Sequence, residues 1–229
     1  MQNPAKVRGI FSSIASRYDA ANHLLSGGLD FLWRARATRI IQAWQPRRVL
    51  DLATGSGDLA LALQRALPQA HVIGADFCLP MLAVAARKGL HPLVVADGTK
   101  LPFADKTFDA VTVAFGLRNM ASWPDALREM YRVLQPGGHL LILDFSMPQP
   151  PLTALYRFYL HRVLPHIAGC LTGNRSGYEY LGESIESFPS GGDMCDLIES
   201  NGFIRARATP LAIGIVSIYT AKKNETHHL

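Results

Sequence analysis

Apolar residues along this chain recur with two different periods. Leu29, Leu32, Trp33, Ile40, Ile41 and Trp44 repeat at helical spacing, Arg34 and Arg39 fall on other faces, and Pro46 ends the run. The spacing predicts an amphipathic helix over 29–44. Beyond it, RRVLDLA, HVIGAD, PLVVAD, FDAVTVAF and HLLILDF are short β-rich runs that end in turn residues. Between them, DLALALQRAL, PMLAVAARKG and WPDALREMYRVL keep helical spacing and close on Pro or Gly. Strands alternating with helices predict an α/β fold with a doubly wound, mostly parallel sheet.

After Phe145 the alternation stops. MPQPPLTALYRFYLHRVLPHIAG reads as an aromatic-rich helix with Leu152, Leu155, Tyr156, Tyr159 and Val163 on one stripe. The polar run GNRSGYEYLGESIESFPSGG follows, then a helix near Met194–Glu199 and two last strands, FIRARAT and AIGIVSIYTA, which bring the sheet to seven. An insertion at the carboxyl end of a strand is where such a fold builds a lid over its ligand. The reading is one domain over 1–229, with a helical cap at 1–45 and a substrate lid at 146–200.

Composition narrows this picture. At 48% apolar and 18% charged, the 229 residues belong to a globular protein with a real core. The run Leu211–Ala221 is too short to span a bilayer. The first residues carry Lys6 and Arg8 but no unbroken apolar stretch before Arg17, unlike a secretory signal. Cys78, Cys170 and Cys195 are scattered without metal-ligand spacing, so reduced thiols, a cytoplasmic location and no metal are expected. Charge is uneven: residues 1–50 hold eight Lys or Arg against Asp19 and Asp30, and 51–229 hold fifteen against sixteen acids. The N-terminal excess suits a solvated face, nucleic acid or an anionic membrane surface.

The chemistry concentrates at Asp51-Leu-Ala-Thr-Gly-Ser-Gly-Asp58, between the first strand and its helix. Gly55, Gly57 and Ala60 satisfy a dinucleotide fingerprint, with Asp76 where a ribose-binding acid belongs, so a nicotinamide oxidoreductase is allowed by pattern. Asp51 and Asp58 argue against it, because they flank the glycines where a pyrophosphate would need a bare helix terminus. A cofactor with a cationic head, such as S-adenosylmethionine, is attracted instead. Asp76 can then take the ribose hydroxyls, and Asp97-Gly98 the adenine. Singly, each is also an ordinary turn or helix-start residue.

The stretches FSSIASRYDAANHLLSGGLDFLW, VLDLATGSGDLA, LPFADKTFDAVTVAFGLRNM, ALREMYRVLQPGGHLLILDFS and YLGESIESFP resemble the quinone-ring C-methyltransferases of menaquinone and ubiquinone biosynthesis over nearly the whole chain. The resemblance implies the class I methyltransferase fold, S-adenosylmethionine as donor and a prenylated hydroquinone as acceptor. It puts cofactor contacts on Ser56, Asp76, Asp97 and Gly98, which Asp51, Gly55 and Gly57 join from the reading of the loop itself, and the residues expected to be catalytic are Arg118, Asn119 and Asp144. Tyr18, with Asp19 and Asn22 in the family's first signature, is expected to close over the site, and Tyr18 and Tyr178, the latter from the inserted segment, are the expected substrate contacts. Departures are Ala21 for a methionine, Asp30 for a histidine, Ala114 for a frequent serine and Asp144 for a glutamate. The absence of an N-terminal extension favours demethylmenaquinol, with a ubiquinone-pathway or bifunctional enzyme as the alternative.

Ring-carbon methylation requires a phenol of pKa near 10 to lose its proton, so the site needs a base or a cation that eases phenolate formation. Arg118 can lower that pKa and orient a water, or can simply form an ion pair with Asp144. His23 and His166 titrate near neutrality but lie in no demanding pattern. Tyr178 and Tyr180 either stack on the ring or pack the lid. A nucleic-acid enzyme ranks last, since no RNA module or catalytic motif accompanies the basic residues. Peripheral membrane contact through Arg34, Arg36 and Arg39 is expected.

Overall fold

A computed structural model describes residues 9, 23, 26–166 and 175–225, and for Arg175, Ser176 and Tyr178 the backbone alone. Tyr18, Asp19, Ala21, Asn22 and Cys170 lie outside the described residues. The described elements are α1 (Leu29–Ala43), β1 (Arg48–Leu52), α2 (Asp58–Ala66), β2 (His71–Asp76), α3 (Leu79–Arg87), β3 (Leu93–Val95) and β4 (Phe108–Ala114). A 3₁₀ turn (Leu117–Asn119), α4 (Trp123–Val133), β5 (Leu134–Phe145), α5 (Leu152–Phe158), a π-helical turn (Tyr159–Val163), α6 (Arg175–Ser187), α7 (Gly192–Ser200), β6 (Ile204–Leu211), a second 3₁₀ turn (Ala212–Gly214) and β7 (Val216–Lys222) complete them.

Seven strands form one sheet in the order β3-β2-β1-β4-β5-β7-β6. β1 to β5 run parallel, and β7 is antiparallel to both β5 and β6. Every strand predicted from the sequence is present. β5 begins earlier than HLLILDF because Leu134-Gln-Pro-Gly-Gly joins it through an irregularity, where the pairing jumps from Phe108↔Leu134 to Ala110↔His139.

Alternation along the central strands sends side chains to two cores. Leu50, Leu140 and Ile142 meet Leu127 and Met130 of α4 and Ile198 of α7, whereas Val49, Leu141 and Leu143 meet Trp33 and Ile41 of α1 and Leu63 of α2. α1 runs the length of this second layer: Trp33 lies against Phe115 and Phe145 at the carboxyl ends of β4 and β5, and Trp44 stacks on His139 near the amino end of β5.

The inward stripe of α1 differs from the predicted one. Asp30, Trp33, Ala37, Thr38 and Ile41 are buried, whereas Leu29 and Leu32 are exposed. Arg34 is also inside, its side chain 12% exposed. The sequence pattern marks apolar types only, and here an acid and a base enter the interior together because each satisfies the other. A similar split occurs at the expected stripe of 152–163: Tyr156 and Tyr159 pack toward Leu160, Leu164 and Ile185, and Leu152 and Leu155 face outward.

Candidate active site

The carboxyl ends of β1, β2 and β3 bring Asp51, Gly55, Ser56, Gly57, Asp76, Asp97 and Gly98 to one side of the sheet. Asp51, 1% exposed, accepts hydrogen bonds from Thr54 Oγ1 at 2.6 Å and from Thr112 Oγ1 at 2.7 Å. Thr112 sits opposite it on β4. Burial outweighs these bonds and the nearby Arg34 cation, and pushes the carboxyl up to about 6. The glycine loop is tied to β2 by Asp76, whose Oδ2 accepts from Gly55 N at 2.9 Å and whose Oδ1 accepts from Cys78 N at 2.8 Å. Burial raises the Asp76 pKa despite those bonds.

Gly57 holds φ +86°, and a Cβ there would come within 2.8 Å of Leu90, so this position requires glycine on both counts. Asp97 is exposed and caps its own turn through Thr99 N and Oγ1, both at 2.8 Å. Leu79 and Val95 beside these acids are 63% and 57% exposed. Two bare apolar side chains next to two carboxylates suit the faces of a purine and the hydroxyls of its ribose.

Asp58 corrects part of the electrostatic reading. Its Oδ1 accepts from Lys88 Nζ at 2.7 Å, and Arg34 Nη2 stands 3.7 Å from Oδ2. Its charge is therefore balanced, and Asp51 is left as the acid that a cationic head would meet.

After β4 the chain takes an unusual course. Phe115 has φ +57° and Ala53, after β1, has φ +53°, a region that non-glycine side chains rarely occupy. Gly116 lies so close to Ala53 that an added Cβ would sit 2.4 Å from its methyl. This contact presents the Leu117–Asn119 turn at the cleft. Arg118 Nη1 donates to Asp144 Oδ1 at 2.6 Å and to Phe115 O at 2.6 Å, and the guanidinium lies 5.1 Å from the Phe145 ring centre. The expected ion pair is present, yet Arg118 Nε is buried without a hydrogen-bond partner among the described residues. Tyr180 Oη donates to Asn119 Oδ1 at 3.1 Å, linking α6 to this turn. Tyr156 also feels the Arg118 charge, although burial dominates and raises its pKa.

The histidines have local partners. His23 Nδ1 is 2.7 Å from Asp30 Oδ2 and its ring stacks on Phe31 at 4.2 Å. His166 Nδ1 is 2.8 Å from Arg162 O, one turn back in its own helix. The sequence reading missed Arg34, Tyr156 and the Ala53–Gly116 contact, and left Tyr180 undecided. Positive-φ alanine and phenylalanine carry no turn signature, and partners distant in sequence leave no local pattern. A cleft of about 290 Å³ lined by Trp44, Arg47, Asp109 and His139 lies at the opposite ends of the strands and shares none of these groups.

The ubiE/COQ5 methyltransferase family model matches residues 1–223. The chain belongs to that family. It is an S-adenosylmethionine-dependent methyltransferase. Relatives of this methyltransferase include the demethylmenaquinone methyltransferase of Thermus thermophilus, 47% identical over 93% of this chain and all of the relative. The ubiquinone/menaquinone biosynthesis C-methyltransferase UbiE of Syntrophotalea carbinolica is 44% identical over 93% of this chain and 92% of its own. Among solved structures, a SAM-dependent methyltransferase of Thermotoga maritima superposes with TM-score 0.67 at 18% identity, covering 95% of this chain and all of that one. Human N-acetylserotonin methyltransferase in complex with SAM gives 0.61 at 17%, covering 94% and 59%. These two likenesses establish the class I fold of the methyltransferase. Its site fits the donor: a desolvated carboxylate beside the glycine loop for a cationic head, and an apolar pair beside two further acids for the nucleoside.

Proposed function

We propose that this methyltransferase methylates a ring carbon of demethylmenaquinol to give menaquinol. The observation that carries the reading is the buried Nε of Arg118, without a hydrogen-bond partner among the described residues, set in a chain related at 47% identity to a demethylmenaquinone methyltransferase. A buried donor without a partner costs about 1–3 kcal/mol, which a substrate oxygen at that position recovers. Bound S-adenosylmethionine supplies an electrophilic methyl on a sulfonium. The chain's own part is to hold the nucleoside between Leu79 and Val95 with Asp76 and Asp97, to meet the cationic head with Asp51, and to place Arg118 against the ring hydroxyl.

There Arg118 stabilises the phenolate and orients the water that removes the proton, which concentrates electron density on the neighbouring carbon. Asp144 holds the guanidinium in place, and Asn119 ties the turn to α6. In this reading 1–229 is one domain, 1–45 caps the cofactor, and 146–200 closes over the quinol, with Tyr18 and Tyr178 among its contacts. The hydrogen bond from Tyr180 to Asn119 supports a lid in that place. No nucleic acid takes part.

The protein is read as cytoplasmic, with peripheral contact at the inner face of the membrane where a prenyl quinol resides. No helix among the described residues is long and apolar enough to cross a bilayer. Arg34 cannot supply the contact, because it is engaged inside. Leu152, Leu155 and Phe158 of α5, which leaves the carboxyl end of β5, are 39%, 66% and 59% exposed and provide the better surface.

Incubation with isotopically labelled donor and chemically reduced demethylmenaquinone, followed by mass spectrometry, tests the reaction. Labelled menaquinone is expected. Labelling of a polyprenyl benzoquinol in its place would transfer the assignment to the ubiquinone pathway.

A further inference from the structure

The acids that attract the cationic head of the donor create a second problem. The donor's amino-acid end carries a carboxylate as well as an ammonium, and the Asp51 carboxylate that attracts the ammonium repels the donor's own carboxylate. Besides Lys88, which is bonded to Asp58, a second cation stands among these acids. Arg34, in the second turn of α1, reaches across to the glycine loop: Nη1 bonds Asp30 Oδ2, and Nη2 stands 3.7 Å from Asp58 Oδ2. The second distance is an ion-pair contact too long for a hydrogen bond, so the planar fork keeps donors for another acceptor. The guanidinium carbon is 5.8 Å from the ring centre of Phe115, at the end of β4, and its charge is felt by Asp51 at the end of β1. Arg34 thus borders both strand ends between which the donor's amino-acid end must lie.

Its supports are built for position. Asp30, 3% exposed, also accepts from Ser26 Oγ at 2.8 Å and pairs with His23, so a satisfied carboxylate fixes the arginine from behind. Lys88 neutralises Asp58 from the far side, which leaves Arg34 less tightly committed to that acid.

We propose that Arg34 binds the carboxylate of the methyl donor's amino-acid moiety, with Asp51 facing its ammonium. The assignment rests on the donor reading above and adds a residue from α1 to the cofactor site. It also gives the helix a function: α1 carries a cation to the acidic glycine loop.

The test pairs a change in the ligand with a change in the protein. Titration calorimetry compares S-adenosylmethionine with its decarboxylated form, S-adenosylmethioninamine, on the wild-type chain, Arg34→Gln and Arg34→Lys, with circular dichroism to verify folding. A charge-assisted hydrogen bond predicts that loss of the carboxylate weakens wild-type binding by about tenfold or more. The same loss should cost Arg34→Gln less than about threefold, and Arg34→Lys should keep part of the preference. Because each protein is its own reference, a general loss of affinity in a variant leaves the ratio intact. An unchanged ratio in Arg34→Gln, or equal binding of the two ligands by wild type, overturns the assignment while the donor reading stands. Failure of wild type to bind either ligand would overturn both.

Discussion

Arg118 and Asp144 form an ion pair of 2.6 Å in which both side chains are almost completely out of water, 5% and 0% exposed. Such a pair contributes little net stability, since desolvation of two charges offsets their attraction. Its worth lies in orientation. Asp144 and Phe115 O occupy Nη1 and Phe145 lies beside the guanidinium, and Nε is buried with no hydrogen-bond partner among the described residues.

Arg118→Lys therefore keeps the charge for Asp144 but loses the donor geometry. Turnover on demethylmenaquinol is expected to fall by about 10²-fold or more, with cofactor affinity changed less than about threefold. Steady-state kinetics beside donor calorimetry separates the two. Near-normal turnover in Arg118→Ala would remove Arg118 from the chemistry.

Asp51 makes donor binding depend on pH. Its folded-state pKa is raised to about 6, above the 3.8 of an unperturbed aspartate, so the folded chain holds this proton where the unfolded chain has released it. Stability from this group is therefore highest at low pH and declines as pH rises between those two values, by on the order of 3 kcal/mol. A ligand ammonium favours the ionised carboxylate and reverses the preference. Affinity for S-adenosylhomocysteine should weaken about tenfold from pH 7 to pH 5, one decade for each unit below the free-protein pKa. Asp51→Asn should bind weakly with a flatter profile. Parallel slopes for the two proteins would assign the pH dependence to another group, such as Asp76.

Much of this site was legible because its acids and glycines stand at strand ends, where an alternating pattern locates them without coordinates. Asp51, Asp76 and Asp97 each close a β-rich run, and the sheet order brings those ends together. The balance of charge was not legible. Lys88 neutralises Asp58 from thirty positions away, and Arg34 enters the interior only because Asp30, one turn earlier on the same helix, goes with it. Periodicity treats both as surface residues, since burial of an ion pair follows from a three-dimensional match of partners. Likewise, Leu152 and Leu155 read as core until the neighbouring tyrosines are found to take the inner face.

Gly116 offers a test of the strained approach between the β1 and β4 loops. Its φ is ordinary, so an alanine there is not excluded by backbone preference, but its Cβ would lie 2.4 Å from the Ala53 methyl. Gly116→Ala should cost about 1–3 kcal/mol of stability and weaken donor binding, because Ala53 and the Leu117–Asn119 turn must separate. Adding Ala53→Gly removes the opposing methyl and also relieves a positive φ. Thermal melts should show the double variant more stable than Gly116→Ala alone. Additive losses would mean that the contact does not govern the turn.

Membrane contact, finally, is argued from where the exposed apolar side chains stand. Leu152, Leu155 and Phe158 project from α5, and Ile213, 81% exposed with φ +61°, tips the turn between β6 and β7. Gly214 in that turn packs against Pro148, just before α5, so the two features adjoin. All follow strand ends on the side that carries Arg118. A prenyl tail leaving the ring site there would meet lipid without crossing water, and each exposed apolar side chain placed in lipid gains up to about 1.5–3 kcal/mol. Leu155→Ser/Phe158→Ser should reduce co-sedimentation with liposomes severalfold and lower turnover on long-tailed quinol. Turnover on a short-tailed, water-soluble demethylnaphthoquinol should remain, since both side chains face outward and such a substrate needs no lipid surface. Ile213→Asn should act in the same direction without loss of stability, because asparagine tolerates its backbone conformation. Arg39→Glu, on the exposed face of α1, serves as the comparison: if it abolishes liposome binding while the apolar variants pellet like wild type, the contact is electrostatic and lies along α1.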